Sequence, residues 1–348
     1  MNKEKIDVEN MFQSIYDFPN QMEEAIKIGK NINLSKKYKN INSIVLAGMG
    51  GSAVGGDLLS LIFGKYLTVP FFVSRNYTLP NWVNERTLVI CSSYSGNTEE
   101  TLSVFEEANS KKAQIIGITT GGELSSRLKK NSLDELNIPP GLQPRAAVGF
   151  SLIPLMFLLK RILDIDVPLE SILIDTTKLI FSLREKYSLQ NSRNNSFSLA
   201  QKIYKKIVVI YGETGRTDKL AIRIKGQLCE NSKMLAYTNE IPEMNHNEIV
   251  GWENNSDYFD YYAVLWLVEL ESHPRNLERI NITQDILKKI NIDQHTINVS
   301  GDSFIERVFH FIYFGDWLSY WCAILSESDP TPVTKINFLK SELESRDG

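Results

Sequence analysis

Cysteine, histidine and long apolar runs are all scarce in this chain of 348 residues. Its three cysteines, Cys91, Cys229 and Cys322, lie far apart and form no CxxC pair. So sparse and odd a set supports neither a disulfide framework nor a zinc knuckle, and it fits a reducing compartment. The four histidines, His246, His273, His295 and His310, show no HxxxH or HExxH spacing, so no metal site is expected. Apolar runs such as Leu155 to Leu159 fall far short of the ~20 residues that cross a bilayer. Met1 to Asn10 is polar and charged, which excludes the apolar core of a signal peptide. A net charge of −4 argues against a nucleic-acid-binding surface spread over the whole chain and leaves open only a local basic pocket. The expectation is a cytoplasmic protein with no cofactor and no membrane or nucleic-acid partner.

What is present is an alternation of short apolar runs with helical spacing. Ser43 to Ala47 is a strand-length run that stops at a glycine-rich turn, Gly48-Met49-Gly50-Gly51-Ser52, and helical periodicity follows from Ala53 to Phe63. Val69 to Val73, Thr87 to Cys91 and Gln114 to Ile118 have the same strand character, and Thr98 to Asn109 reads as a helix. Strands apolar on both faces, separated by helices, predict a parallel sheet with helices on either side. The pattern then returns. Ile207 to Tyr211 is a strand followed by Gly212 and a helical stretch to about Asn231. Met234 to Thr238, Asp260 to Val268 and Thr296 to Val299 are further strand candidates, and Phe304 to Leu325 reads as a long amphipathic helix. The polar segment Ser188 to Asn195 is the expected divide between two α/β units.

Two loops are suited to a phosphomonoester. Glycines at Gly48, Gly50 and Gly51 let an anion approach the backbone, and the helix that follows offers unpaired N–H groups. The second loop, Ser92-Ser93-Tyr94-Ser95-Gly96-Asn97-Thr98, clusters the hydroxyls of Ser93, Ser95 and Thr98 ahead of a helix. Each loop has a plainer reading: the first as a tight connection, the second as an N-cap with an acidic first turn at Glu99 and Glu100. On adjacent βα units of one sheet they favour a ligand at the carboxyl ends of the strands. The first loop lacks GxGxxG spacing and a P-loop lysine, so a sugar phosphate suits it better than a nucleotide.

The glycine turn together with Ser93-Tyr94-Ser95-Gly96-Asn97-Thr98-Glu99-Glu100-Thr101 resembles the sugar isomerase (SIS) domain. Three later stretches narrow the likeness: Pro140-Gly141-Leu142-Gln143-Pro144-Arg145-Ala146-Ala147, Glu230-Asn231-Ser232-Lys233 and Ile241-Pro242-Glu243-Met244-Asn245-His246-Asn247. They resemble the bifunctional phosphoglucose/phosphomannose isomerase family, built from two SIS domains. The resemblance implies an α/β fold with two parallel sheets flanked by helices: an N-terminal domain over 1–165, a connecting segment over 166–196 and a C-terminal domain over 197–348. It implies aldose–ketose isomerisation of glucose 6-phosphate and mannose 6-phosphate with fructose 6-phosphate, in a homodimer with shared active sites. By the same resemblance Gly51, Ser52, Ser93, Ser95 and Thr98 hold the phosphate. Glu230 is the base, His246 opens the sugar ring, Arg145 stabilises the enediolate and Lys335 is a further active-site lysine.

Taken singly, these residues have ordinary explanations. Most of the 42 acidic residues are solvated surface charges, a lone histidine is usually a structural hydrogen-bonder, and Arg145 could cap surface carboxylates. Their joint presence argues against a non-catalytic SIS sensor, which would need the phosphate cradle but not Glu230 and His246. A glucosamine-6-phosphate synthase would need a glutaminase domain with an N-terminal cysteine. A dehydrogenase would need a dinucleotide fingerprint.

Overall fold

The computed structural model describes residues 3–254 and 256–346. Its first sheet holds five strands: β1 (Ser43–Ala47), β2 (Phe71–Ser74), β3 (Thr87–Ser93), β4 (Gln114–Thr119) and β5 (Asp134–Asn137). They run parallel in the order β2-β1-β3-β4-β5, with Ala47 level with Cys91 and Cys91 level with Gly117. The second sheet holds β6 (Ile207–Glu213), β7 (Ala236–Ile241), β8 (Tyr262–Leu267) and β9 (Asp293–Ile297), also parallel, in the order β7-β6-β8-β9. Every residue of β1 and β3 is buried, as expected of central strands covered by helices on both faces.

In each sheet the chain leaves one strand, pairs a neighbour on one side, and crosses to the other. Strand order therefore reverses between β1 and β3, and again between β6 and β8. Such switch points open a crevice at the carboxyl ends of the strands, where α/β proteins place their ligands. The glycine turn and the Ser93–Thr98 loop flank the first crevice.

Several elements differ from their expected bounds. The helix after β1 spans Gly50–Phe63, three residues earlier than its apolar spacing indicates, because the glycines themselves form its first turn. The last strand is Asp293–Ile297, not Thr296–Val299. Met234 to Thr238 and Asp260 to Val268 become Ala236–Ile241 and Tyr262–Leu267, the latter entered through a 3-10 turn at Ser256–Tyr261. The helix Phe304–Leu325 has its expected ends, set by a capping box between Ser303 and Glu306, but it is not amphipathic. Residues 307–324 are all buried, and Tyr313, Trp317, Tyr320 and Trp321 pack along it, edge to face except for the stacked Trp317–Trp321 pair. A helix buried all round is a central one. It joins residues of both sheets, from Ile44 and Ile90 to Ile210 and Leu265, in one continuous hydrophobic core.

Candidate active site

The two cradle loops are tied to each other and to the segment that carries Arg145. The backbone N–H of Tyr94 donates to Ser52 Oγ at 3.2 Å, and the Tyr94 hydroxyl donates to the Pro139 carbonyl at 3.0 Å. That hydroxyl also accepts from Leu142 N–H at 3.1 Å, so one residue fixes both loops and the 139–142 turn. Gly51 sits directly against the segment that follows: a Cβ there would lie 2.5 Å from the Pro144 carbonyl oxygen, so only glycine permits the approach.

In the second loop Ser93 Oγ meets Thr98 Oγ1 at 2.8 Å and accepts from Gly96 N–H at 3.1 Å. Thr98 stands at the N-cap of the helix Glu99–Ser110, yet its side chain makes no capping bond. The N-cap position and the acidic first turn at Glu99 and Glu100 are as the plainer reading has them, but the hydroxyl is turned to Ser93. Ser95 is exposed and accepts from Asn97 N–H at 3.2 Å. Ser52 and Ser93 are buried beneath the crevice.

Arg145 lies in the 3-10 turn Pro144–Ala146 and is 5% exposed, which rules out a role as a cap for surface carboxylates. Its Nε donates to Asn231 Oδ1 at 2.6 Å, and its Nη2 donates to the carbonyls of Pro330 and Thr331 at 2.9 and 2.7 Å. The remaining nitrogen, Nη1, stands 3.7 Å from Glu230 Oε2. Burial draws the guanidinium below the usual arginine range, opposed by the Glu230 carboxylate. Glu230 is the penultimate residue of the helix Asp218–Asn231 and keeps 35% of its side chain exposed. Behind them Asn231 Nδ2 donates to Ser319 Oγ at 3.0 Å, and Arg223 pairs with buried Asp316 at 2.8 Å while reaching the Arg145 carbonyl at 3.3 Å. Burial raises the Asp316 carboxyl pKa, against the pull of Arg223.

The structure thus brings Arg145 and Glu230 together beside the glycine cradle. It does not bring His246 or Lys335 to them by any hydrogen bond or ion pair among the described residues. His246 ends the 3-10 turn Glu243–His246 beyond β7, with its side chain exposed. Lys335 is exposed in the first turn of the helix Thr334–Arg346. The lysine close enough to feel the charges of Arg145 and Glu230 is Lys233, though it bonds to neither. Its Nζ donates to the Asn231 carbonyl at 3.2 Å and to that of Asp329. Burial and then Arg145 lower its pKa, while Asp329 and Glu230 oppose them. Lys233 and Asn231 both belong to the Glu230-Asn231-Ser232-Lys233 stretch, so adjacency to Glu230 was the available signal. The two carbonyls that hold Arg145 carry no side-chain signal at all. Among the described residues no cluster of His, Cys, Asp and Glu could hold a metal ion.

Residues 37–155 match the SIS domain, and residues 192–343 match the bacterial phospho-glucose isomerase C-terminal SIS domain. The chain is therefore a pair of SIS domains. A solved structure of a hypothetical protein from Thermus thermophilus shares this fold, with a TM-score of 0.72 at 16% identity over 97% of this chain and 90% of that one. Among curated proteins, the bifunctional phosphoglucose/phosphomannose isomerase of Caldicellulosiruptor bescii is 44% identical over 96% of this chain and 98% of its own length. The Aquifex aeolicus protein of the same description is 33% identical over 97% and 99%. The chain belongs to the bifunctional phosphoglucose/phosphomannose isomerase family, and it is an enzyme.

Proposed function

We propose that this enzyme interconverts glucose 6-phosphate and mannose 6-phosphate with fructose 6-phosphate in the cytoplasm, without a metal, through a cis-enediol. The observation that carries this is the Arg145–Glu230 pair, 3.7 Å apart beside a glycine and hydroxyl cradle. We place the binding cradle in a domain over 1–165 and the base in a second over 197–348, joined by 166–196. Gly51, Ser52, Ser93, Ser95 and Thr98 hold the phosphate. His246 opens the pyranose by moving a proton from O1 to O5. The Glu230 carboxylate then takes the C2 proton; the C–H electron pair forms the C1–C2 double bond, and negative charge develops on O1 facing Arg145. The O2 proton passes to O1, and as the O2 lone pair forms a carbonyl at C2 the C1–C2 π pair takes the proton back from Glu230 at C1, which completes the ketose. The planar enediol keeps no record of C2 configuration, so one base serves both epimers. Lys335 is assigned to the same site.

Within one chain no hydrogen bond or ion pair joins His246 to Glu230, and exposed Tyr237, Val250, Tyr258 and Tyr261 lie on the segments around its loop. Exposed apolar surface of this kind favours a partner. We assign a two-fold dimer in which His246 serves the neighbouring site. The test of the activity is a coupled assay in EDTA with glucose, mannose and glucosamine 6-phosphates offered side by side. Turnover of the first two is expected. Binding without turnover of any would favour a sensor instead. For the shared site, Glu230→Ala and His246→Ala chains are each purified, then co-refolded. Half the dimers are mixed and each has one intact site of two, so recovery should approach roughly one quarter of parental activity. No recovery despite verified subunit exchange would place both residues in one chain's site.

A further inference from the structure

The loop that displays His246 is held from both sides, and its anchors lie outside the reacting groups. On the N-terminal side Met244 is fully buried, and Asn245 Nδ2 donates to Thr283 Oγ1 of the helix Pro274–Lys289 at 2.8 Å. On the C-terminal side, two residues beyond His246, both oxygens of Glu248 are engaged. Oε1 accepts from the Tyr211 hydroxyl at 2.5 Å, and Oε2 accepts from Asn239 Nδ2 at 2.6 Å. Tyr211 lies on β6, is 1% exposed, and also accepts from Trp252 Nε1 at 3.0 Å. Asn239 lies on β7. Glu248 therefore bolts a short, irregular turn to two adjacent strands of the C-terminal sheet. The imidazole of His246 itself makes no hydrogen bond or ion pair among the described residues, so nothing of its own fixes its direction.

A side chain that must meet substrate at one ring oxygen needs its backbone fixed to a fraction of an ångström, and misplacement of about 1 Å costs on the order of a hundredfold in rate. We propose that Glu248 is a positioning residue for His246, acting by hydrogen-bond geometry through Tyr211 and Asn239. The proposal rests on His246 as the ring-opening group.

A double-mutant cycle separates positioning from mere stability. Glu248→Ala should lower kcat on glucose 6-phosphate about thirtyfold with KM within about twofold, since only the His246 step is disturbed. In the His246→Ala background the same change should cost less than about twofold, because there is nothing left to position. Glu248→Gln should restore most of the activity: its carbonyl can accept from Asn239 Nδ2, whose oxygen stays on the Glu240 N–H, and its amide can donate to the Tyr211 hydroxyl oxygen. Tyr211→Phe, which keeps the ring's packing, should repeat the pattern at about threefold and serves if Glu248→Ala does not fold. Equal losses with and without His246 would overturn the proposal, as would a Gln variant as poor as the Ala one, which would assign Glu248 a role through its charge. A His246→Ala enzyme with parental kcat would instead remove the ring-opening assignment, a distinct failure.

Discussion

At the carboxyl end of β1 and β3 the N-terminal sheet presents glycine backbone and the hydroxyls of Ser52, Ser93, Ser95 and Thr98. At the matching end of β6 and β8 the C-terminal sheet presents carboxylates. Glu213, 3% exposed, accepts from the His273 N–H at the start of the helix Pro274–Lys289 and from Asn276 Nδ2 at 2.7 Å. Thr217 Oγ1 accepts from Glu213 N–H and donates to the Leu267 carbonyl, while Gly215 N–H donates to Asp218. Glu269 is paired with buried Arg307, which also reaches Glu271 at 2.7 Å. The second crevice has supplied its own anions to the donors that an external anion would use in the first. Repetition of one unit has left one switch point without such internal anions and filled the other, and the filled unit carries Glu230 at a helix end and His246 in a loop, the two groups proposed above for proton transfer.

The comparison can be broken most severely by removing the filled half's chemical contribution. Glu230→Gln should lower turnover on both epimers by several powers of ten, with KM nearly unchanged. Loss on one epimer alone would show that different groups serve the two. Next in size is making the first crevice resemble the filled one. Ser52→Asp places a carboxylate where the phosphate should sit, and it should raise KM by more than about a hundredfold through like-charge repulsion. Substrate binding as tight as in the parent would move the cradle elsewhere. Ser52→Ala and Thr98→Val each delete a donor, the first also removing the acceptor of the Tyr94 N–H, and each should raise KM by the equivalent of about 1–3 kcal/mol. The smallest effect on activity belongs to Glu213→Gln, which loosens the filled crevice. Its KM should stay within about twofold of the parent while stability falls by about 1–3 kcal/mol, seen as a lower melting temperature. A marked rise in KM there would mean that the second crevice also meets substrate.

How much of this could be read in the chain varies with how local the cause is. Central strands such as β1 and β3 follow from unbroken apolar runs, and the helix Phe304–Leu325 was placed at its true ends, though the one-sided face read there is absent. The edge strand β5, Asp134–Asn137, has no such run and gives no local signal. It is fixed by tertiary bonds, with Asp134 accepting from Ser35, Lys36 and Tyr38. The full burial of the long helix was hidden as well, because its Arg307 and Asp316 look like a wet face until their partners Glu269 and Arg223 are seen. In the site, glycine and hydroxyl spacing marked the two loops that the structure ties together through Ser52 and Tyr94. The meeting of Arg145 with Glu230, far along the chain in the second unit, was legible only through resemblance. Its supports, the Pro330 and Thr331 carbonyls, are backbone atoms that any sequence carries.

The core that runs from Ile44 through Trp317 to Leu265 has no seam between the sheets. A chain whose tasks are split between two units therefore cannot come apart by units. Heat should melt it in one cooperative event, and amide protons deep in β1 and β6 should exchange through the same global opening. A cut in the link at 189–194 would leave each piece with half of a shared interior and a large apolar face turned to water. The price of a common interior is that neither sheet is left as a module to be lent to another protein.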